Sequence, residues 1–164
     1  MILARDLDYG IGFGGRIPWR CPKDMEHFQA TTTKTIDAAK FNAVVMGRRT
    51  WESLRGRALP RRVNICVSST EQDIRTAASL KAALDLANEC PDVESIFVIG
   101  GVHVYREAFE EQFVGTVYET VIKDRFPADR FVRFLPKYLV DYKLQKTIYQ
   151  SDEFETRVYE QTRQ

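Results

Sequence analysis

The sequence predicts an α/β fold whose sheet is parallel at first and antiparallel at the end. Two observations predict it. Over the first two thirds of the chain, short apolar runs alternate with helical patterns. In the last third, strand patterns follow one another with no helix between them, which requires hairpin or other antiparallel pairing. A third observation concerns organisation. The 164 residues hold no internal repeat, low-complexity tract or Pro/Ser-rich linker. One continuous domain over residues 1–164 is therefore expected, large enough to bury its own core.

The elements follow in order. Ile2-Leu3-Ala4 is a short strand, and a Gly-rich loop runs from Asp8 to Trp19. Pro22 suits the first turn of a helix, with Asp24 and Glu26 near its positive end and Met25 and Phe28 on its apolar side. Ala43-Val44-Val45-Met46 reads as a buried strand. Gly47 ends it, and Arg48, Arg49 and Thr50 open a helix. Val63–Val67 and Ile96–Ile99 read as further buried strands. Between them Ser79 is a helix N-cap, with Leu80, Ala83, Leu84 and Ala87 at helical spacing. A short helix carrying Val104, Tyr105 and Ala108 follows Gly101. Val117–Val121 is a strand, Tyr142, Leu144, Thr147 and Ile148 mark an imperfect one, and Phe154, Thr156 and Val158 alternate cleanly in a third.

Charge and cysteine usage narrow the function classes. Lys and Arg number 24 against 23 Asp and Glu, a net charge of +1. That balance offers no general attraction for nucleic acid or a membrane surface, so any anion site must be local. Cys21, Cys66 and Cys90 are widely spaced, with no CxxC or Cys/His cluster. Neither a disulfide framework nor a metal site is expected, and reduced thiols fit a cytoplasmic setting. Arg5 and Asp6 interrupt the start where a signal peptide needs an apolar run, and no stretch approaches the roughly 18 apolar residues of a membrane span.

Gly10-Ile11-Gly12-Phe13-Gly14-Gly15 matches the GxGxxG dinucleotide pattern literally. That pattern works only where a tight turn leads straight into a helix. Here Arg16-Ile17-Pro18-Trp19 follows, and Pro18 biases Ile17 away from helical geometry. The segment is read instead as a glycine loop whose mobility is itself functional.

Other residues carry chemistry. Asp24 stands one turn before Phe28, so the two share a helix face. A carboxylate there can accept two parallel hydrogen bonds from an amidine-like group. It can equally be an Asp that favours the helix dipole. Arg48, Arg49 and Thr50 at a helix start make an anion site or simply a charged face. Arg62 is a guanidinium fork for a carboxylate or a solvated turn residue. Tyr105 is a site residue or a core aromatic.

Ile11-Gly12…Ile17-Pro18-Trp19-Arg20-Cys21-Pro22-Lys23-Asp24…Phe28 resembles the dihydrofolate reductase family. There a Gly loop leads to Pro-Trp, an acidic residue follows five positions later, and a Phe four after that. Val45–Ser53 is similar to the family's VIMGRxTWES block, Leu59–Asn64 to its LPGRxN stretch, and Val98-Ile99-Gly100-Gly101 with Tyr105 to its VIGG…VY motif. Thr120 falls where the family has a Thr in the following strand. The blocks stand in family order. Thr31–Asn42 resembles the longer, eukaryotic-type members.

The resemblance implies a mostly parallel eight-stranded sheet with antiparallel C-terminal strands and about four flanking helices. It implies NADPH-dependent reduction of dihydrofolate by a monomer, with the small molecule as its partner. Asp24 would bind the pterin with support from Thr120, and Ile2, Met25, Phe28, Leu54, Leu59 and Ile99 would line the substrate site. Arg62 would meet the glutamate α-carboxylate. The cofactor would lie against Ala4, Ile11, Gly12, Gly47, Arg48, Arg49, Thr50, Val67, Ser68, Ser69, Ile99, Gly100, Gly101, Val102, His103, Val104 and Tyr105. Arg49 and Ser69 would favour NADPH over NADH. Asp24, Thr120 and Tyr105 would act at the catalytic centre, with Ile17 and Trp19 in a lid over it. A cis peptide is expected between Gly100 and Gly101. His103 stands where many members carry Arg, and Asp129–Pro136 departs from the family's acidic-Thr-aromatic-Phe-Pro motif.

Overall fold

A computed structural model describes residues 1–162; the last two residues of the expected 1–164 domain lie outside them. The described chain holds ten strands and five helices. In order they are β1 (Ile2–Arg5), β2 (Gly10–Gly12), α1 (Pro22–Thr33), β3 (Phe41–Gly47), α2 (Arg48–Ser53), β4 (Arg62–Val67), β5 (Arg75–Ala77), α3 (Leu80–Glu89), β6 (Val93–Gly100), α4 (Val102–Glu110), β7 (Thr116–Ile122), β8 (Arg130–Phe131), α5 (Leu135–Leu139), β9 (Tyr142–Gln150) and β10 (Phe154–Gln161). The chain forms two compact units, Met1–Asp24 with Ala108–Gln164, and Met25–Glu107.

The unit Met25–Glu107 is built on an all-parallel sheet of order β5-β4-β3-β6. Its centre is β3, where Ala43, Val44, Val45 and Met46 are wholly buried. A strand flanked on both sides and covered on both faces needs such a continuous apolar run. The α3 helix begins where the sequence indicates, with the Ser79 hydroxyl accepting from the Ala82 amide at 3.1 Å, and it buries Leu80, Ala83 and Ala87. The buried Asn42 amide group donates to the carbonyls of Thr32 and Lys34, while its oxygen accepts from the Ser95 amide.

In the other unit the sheet order is β1-β7-β10-β9. β1 runs parallel to β7, whereas β10 is antiparallel to both β7 and β9. Phe154 is wholly buried and packs in one cluster with Cys21 and Ile122, bordered by Trp19, Phe126 and Tyr149. Burying a side chain of that size stabilises the fold by roughly 1.5–3 kcal/mol. On the opposite sheet face Glu119 is buried between Arg5, at 3.4 Å, and Arg157, at 3.6 Å.

Three expectations need correction. The eight strands expected in one sheet fall into two four-stranded sheets, and β2 and β8 add a separate pair. Sequence periodicity marks strands but says nothing about which edges bond. A fifth helix, α5, begins at the end of the Asp129–Pro136 segment and runs beyond it; Pro136 in its first turn suits a helix start. The Gly-rich loop is also partly ordered. β2 pairs with β8, and Phe13 and Arg16 exchange backbone hydrogen bonds across Gly14 and Gly15. Both glycines have positive φ, +56° and +77°, the requirement of a two-residue hairpin turn. No helix follows them before Pro22, as the reading of the glycine pattern requires. The irregular pattern at Tyr142–Ile148 also has a cause: bulges shift the β9–β10 register twice, breaking strict alternation.

Candidate functional site

Asp24 lies in the first turn of α1, and only 7% of it is exposed. Burial pushes its carboxyl above the usual Asp value, and a hydrogen bond from Thr120 pulls the other way. Thr120 sits on β7 in register with Ala4 of β1 on one side and Thr156 of β10 on the other. The Thr120 and Thr156 hydroxyl oxygens are 2.8 Å apart and buried. Ile2 is buried two positions along the same row from Ala4. Nearby, burial raises the Cys21 thiol, and a backbone hydrogen bond from Asp24 pulls it the other way.

The Gly-rich segment is fastened at its root. Asp6 is wholly buried, and its carboxylate accepts from the amides of Asp8, Gly10 and Phe126 at 2.9, 2.8 and 3.0 Å. Farther along, the Asp129 carboxylate accepts from the Gly14 amide at 3.0 Å, and the Asp129 amide donates to the Gly12 carbonyl. Asp129 therefore holds this loop despite the blurred motif around it. Trp19 closes the segment against Phe126, while Ile17 projects outward, 54% exposed. Ile11 and Gly12 are half-buried in β2.

The second group of expected residues gathers at the carboxyl ends of parallel strands, where ligands of such sheets bind. Gly47 ends β3 opposite Val67 of β4, and Met46 stands opposite Gly100 of β6. A methyl group at Gly47 would lie 3.1 Å from Val104 Cγ2, and one at Gly100 would lie 3.3 Å from Thr50 Oγ1 and 3.5 Å from the Tyr105 hydroxyl. Residues 47–50 and 100–105, remote in sequence, thus share one small space that glycine keeps open. The Gly100–Gly101 peptide is cis, as expected. Backbone amides at the starts of α2 and α4 supply donors suited to phosphate oxygens. This donor set and these glycines fit a dinucleotide.

Around it, Arg48 pairs with Glu52 at 3.2 Å on the exposed side of α2, so one of the two expected cations is already engaged. Arg49, Ser69 and His103 are exposed, and Gly101 and Val102 are half-buried. The Ser68 hydroxyl accepts from the Thr70 amide, while Ile99 is half-buried and Tyr105 buried. Elsewhere in the unit Met25 is 52% exposed, and Phe28, Leu54 and Leu59 are half-buried. Arg62 is held by Thr32 and by the Pro60 carbonyl, and burial, with Arg61 beside it, lowers its pKa.

Four supporting residues escape sequence reasoning. Thr156 and Asp6 brace Asp24's partner and the glycine segment. Thr32 braces Arg62. Asn64 closes the 59–62 turn, accepting from the Leu59 amide and donating to the Leu59 and Arg62 carbonyls. The available signal was a polar residue inside an apolar pattern: Asn64 within Val63–Val67, and Thr156 between Phe154 and Val158.

A family model described as dihydrofolate reductase matches residues 1–162. The chain belongs to the dihydrofolate reductase family. A dihydrofolate reductase of Drosophila melanogaster is 35% identical over 144 residues, covering 83% of this chain and 79% of that protein. One from Candida albicans is 36% identical over 137 residues, covering 76% and 70%. A bifunctional dihydrofolate reductase-thymidylate synthase of Daucus carota is 37% identical over 147 residues, covering 82% of this chain but 28% of that protein. The chain thus spans about a quarter of the length of the bifunctional plant relatives it matches. Among the described residues no helix is long and apolar enough to cross a membrane, and no His, Cys, Asp and Glu cluster could hold a metal.

Proposed function

We propose that residues 1–164 act as one dihydrofolate reductase domain, reducing 7,8-dihydrofolate to tetrahydrofolate with NADPH. Family membership supports the activity. The observation that carries the chemistry is Asp24, a buried carboxylate hydrogen-bonded to Thr120.

In this reading the Asp24 carboxylate accepts hydrogen bonds from N3 and the 2-amino group of the pterin, a bidentate match. Ile2, Met25, Phe28, Leu54, Leu59 and Ile99 line the substrate site. Arg62 pairs with the glutamate α-carboxylate, its fork already oriented by Thr32 and Pro60. Bound NADPH supplies the hydride that reaches C6 of the pterin. N5 gains a proton, favoured by the negative charge of Asp24. The glycines and amides of Gly47–Thr50 and Gly100–Tyr105 hold the cofactor's phosphates. Arg49 and Ser69, both exposed, meet its 2′-phosphate. Ala4, Ile11 and Gly12 face the nicotinamide. The Gly10–Trp19 segment is the lid that excludes water from it. The free cysteines support a cytoplasmic setting, and a monomer is part of this proposal.

The test follows NADPH absorbance with dihydrofolate as substrate, alongside NADH and alongside a ribityl-aminopyrimidine. Tetrahydrofolate formed with NADPH, and slower turnover with NADH, is the expected result. Consumption of NADPH with the pyrimidine alone overturns the assignment.

A further inference from the structure

Thr120 and Thr156 stand directly opposite each other on β7 and β10, 2% and 0% exposed, with their hydroxyl oxygens 2.8 Å apart. Each hydroxyl has one proton to give. An ionised carboxylate can only accept. While Asp24 is charged, the Thr120 proton must therefore point at Asp24, and the Thr120 oxygen must accept the proton of Thr156. The order Thr156 to Thr120 to Asp24 leaves each hydroxyl proton placed. Protonating Asp24 disturbs that order. If its new proton is donated to Thr120, the Thr120 proton swings to Thr156, and the Thr156 proton loses its place in a fully buried site.

We propose that Thr156 is a positioning residue, which fixes the direction in which Thr120 donates and so holds Asp24 in its ionised form. A hydroxyl that itself accepts a hydrogen bond is polarised into a stronger donor. The inference rests on the reading of Asp24 as the pterin-binding carboxylate. Alternation along the strands puts Ile2 and Ala4 of β1, Tyr118 and Ile122 of β7, Phe154 and Val158 of β10, and Lys146 and Tyr149 of β9 on the same sheet face as this pair. Of these the ionisable groups are Tyr118, whose pKa burial and Glu160 raise, and Lys146 and Tyr149 of β9. Glu153 acts on Cys21, whose thiol adjoins Asp24. On α1 itself the titratable neighbours are Lys23, Glu26 and His27, the last lowered by burial. None of these stands where Thr156 does, in contact with the hydroxyl that Asp24 uses.

The test is a carbon-13 NMR titration of the Asp24 carboxyl carbon, assigned by its loss in Asp24→Asn, in wild type, Thr156→Val and Thr156→Ser. The Val variant keeps the shape and loses the donor. Its midpoint should rise by about half a pH unit or more, roughly a threefold change in the protonation constant. The Ser variant should restore the wild-type midpoint, and the pH profile of kcat/KM for dihydrofolate should move in parallel. If Thr156→Val does not fold, Thr156→Ala replaces it. An unchanged midpoint in a folded Val or Ala variant overturns the proposal, and so does a Ser variant displaced as far as Val. The titration needs no turnover. A wild type without reductase activity would sink the proposed function, while the midpoints would still decide the role of Thr156.

Discussion

One guanidinium nitrogen of Arg62 donates to the hydroxyl of Thr32 at 3.0 Å, across thirty residues of chain. The same hydroxyl donates to the Phe28 carbonyl in α1, and the Arg62 Nε donates to the Pro60 carbonyl. The fork is therefore oriented before any carboxylate arrives, which lowers the cost of ordering it on binding. Arg62→Ala should raise KM for dihydrofolate about ten- to hundredfold, the range of a lost charge-assisted bond. Thr32→Val should raise it less and leave KM for NADPH unchanged. Steady-state kinetics with each substrate varied in turn checks both.

Asp24 carries an opposition between stability and activity. Burial raises its carboxyl in the folded protein above the ordinary value. A group shifted this way binds its proton more tightly when folded than when unfolded. Its favourable contribution is complete below the unfolded pKa and is lost as pH rises through the folded one. At neutral pH the charged form thus destabilises the fold. Asp24→Asn, whose amide oxygen can still accept from Thr120, should be more stable than wild type in neutral urea denaturation. The advantage should vanish as the pH falls below the ordinary Asp range. Turnover should fall by about 10²–10⁴-fold, the span typical of lost acid–base assistance. Unchanged turnover would remove Asp24 from its assigned role.

Gly10 is a position where space rather than backbone conformation demands glycine. An added methyl would lie 2.7 Å from the Ala128 Cβ and 3.2 Å from an Asp6 carboxylate oxygen. Gly10→Ala should cost about 1–3 kcal/mol of stability, as overpacking does. It should also loosen the pairing of β2 with β8 and lower kcat. Ala128→Gly should recover much of the loss, a coupling that a double-mutant cycle in chemical denaturation would measure. Additive effects would show that the two sites do not share this contact.

Gly100 combines a φ of +133° with the close approach of Thr50 and Tyr105. Gly100→Ala meets both constraints at once and should weaken NADPH binding by about tenfold or more, since about 1.4 kcal/mol corresponds to a factor of ten. Fluorescence titration with NADPH reads the effect directly. KM for dihydrofolate should change little. A variant that binds NADPH normally would detach this glycine from the cofactor.

The legible parts of the molecule were those with a strong local signal. The β3 run Ala43–Met46, the Ser79 cap and the Leu80–Ala87 spacing each announce their element, and the structure places each there. Short elements carried too little pattern. β5 is three residues of mixed character, and β2 hides inside a run of glycines. α5 is only five residues long, its one start signal being Pro136.

The sequence by itself determined the alternation of parallel and antiparallel segments, the order of the family blocks, and the types of residue available for chemistry. These are local or ordered properties, written in spacing. Only the tertiary structure decided which polar groups meet: Thr156 with Thr120, Thr32 with Arg62, Asp6 with the amides of the glycine segment. The physical reason is that a hydrogen bond between residues far apart in sequence depends on strand register and on burial. A hydroxyl or carboxylate closed off from water must find a partner inside, and the fold, not the spacing, settles which one it finds.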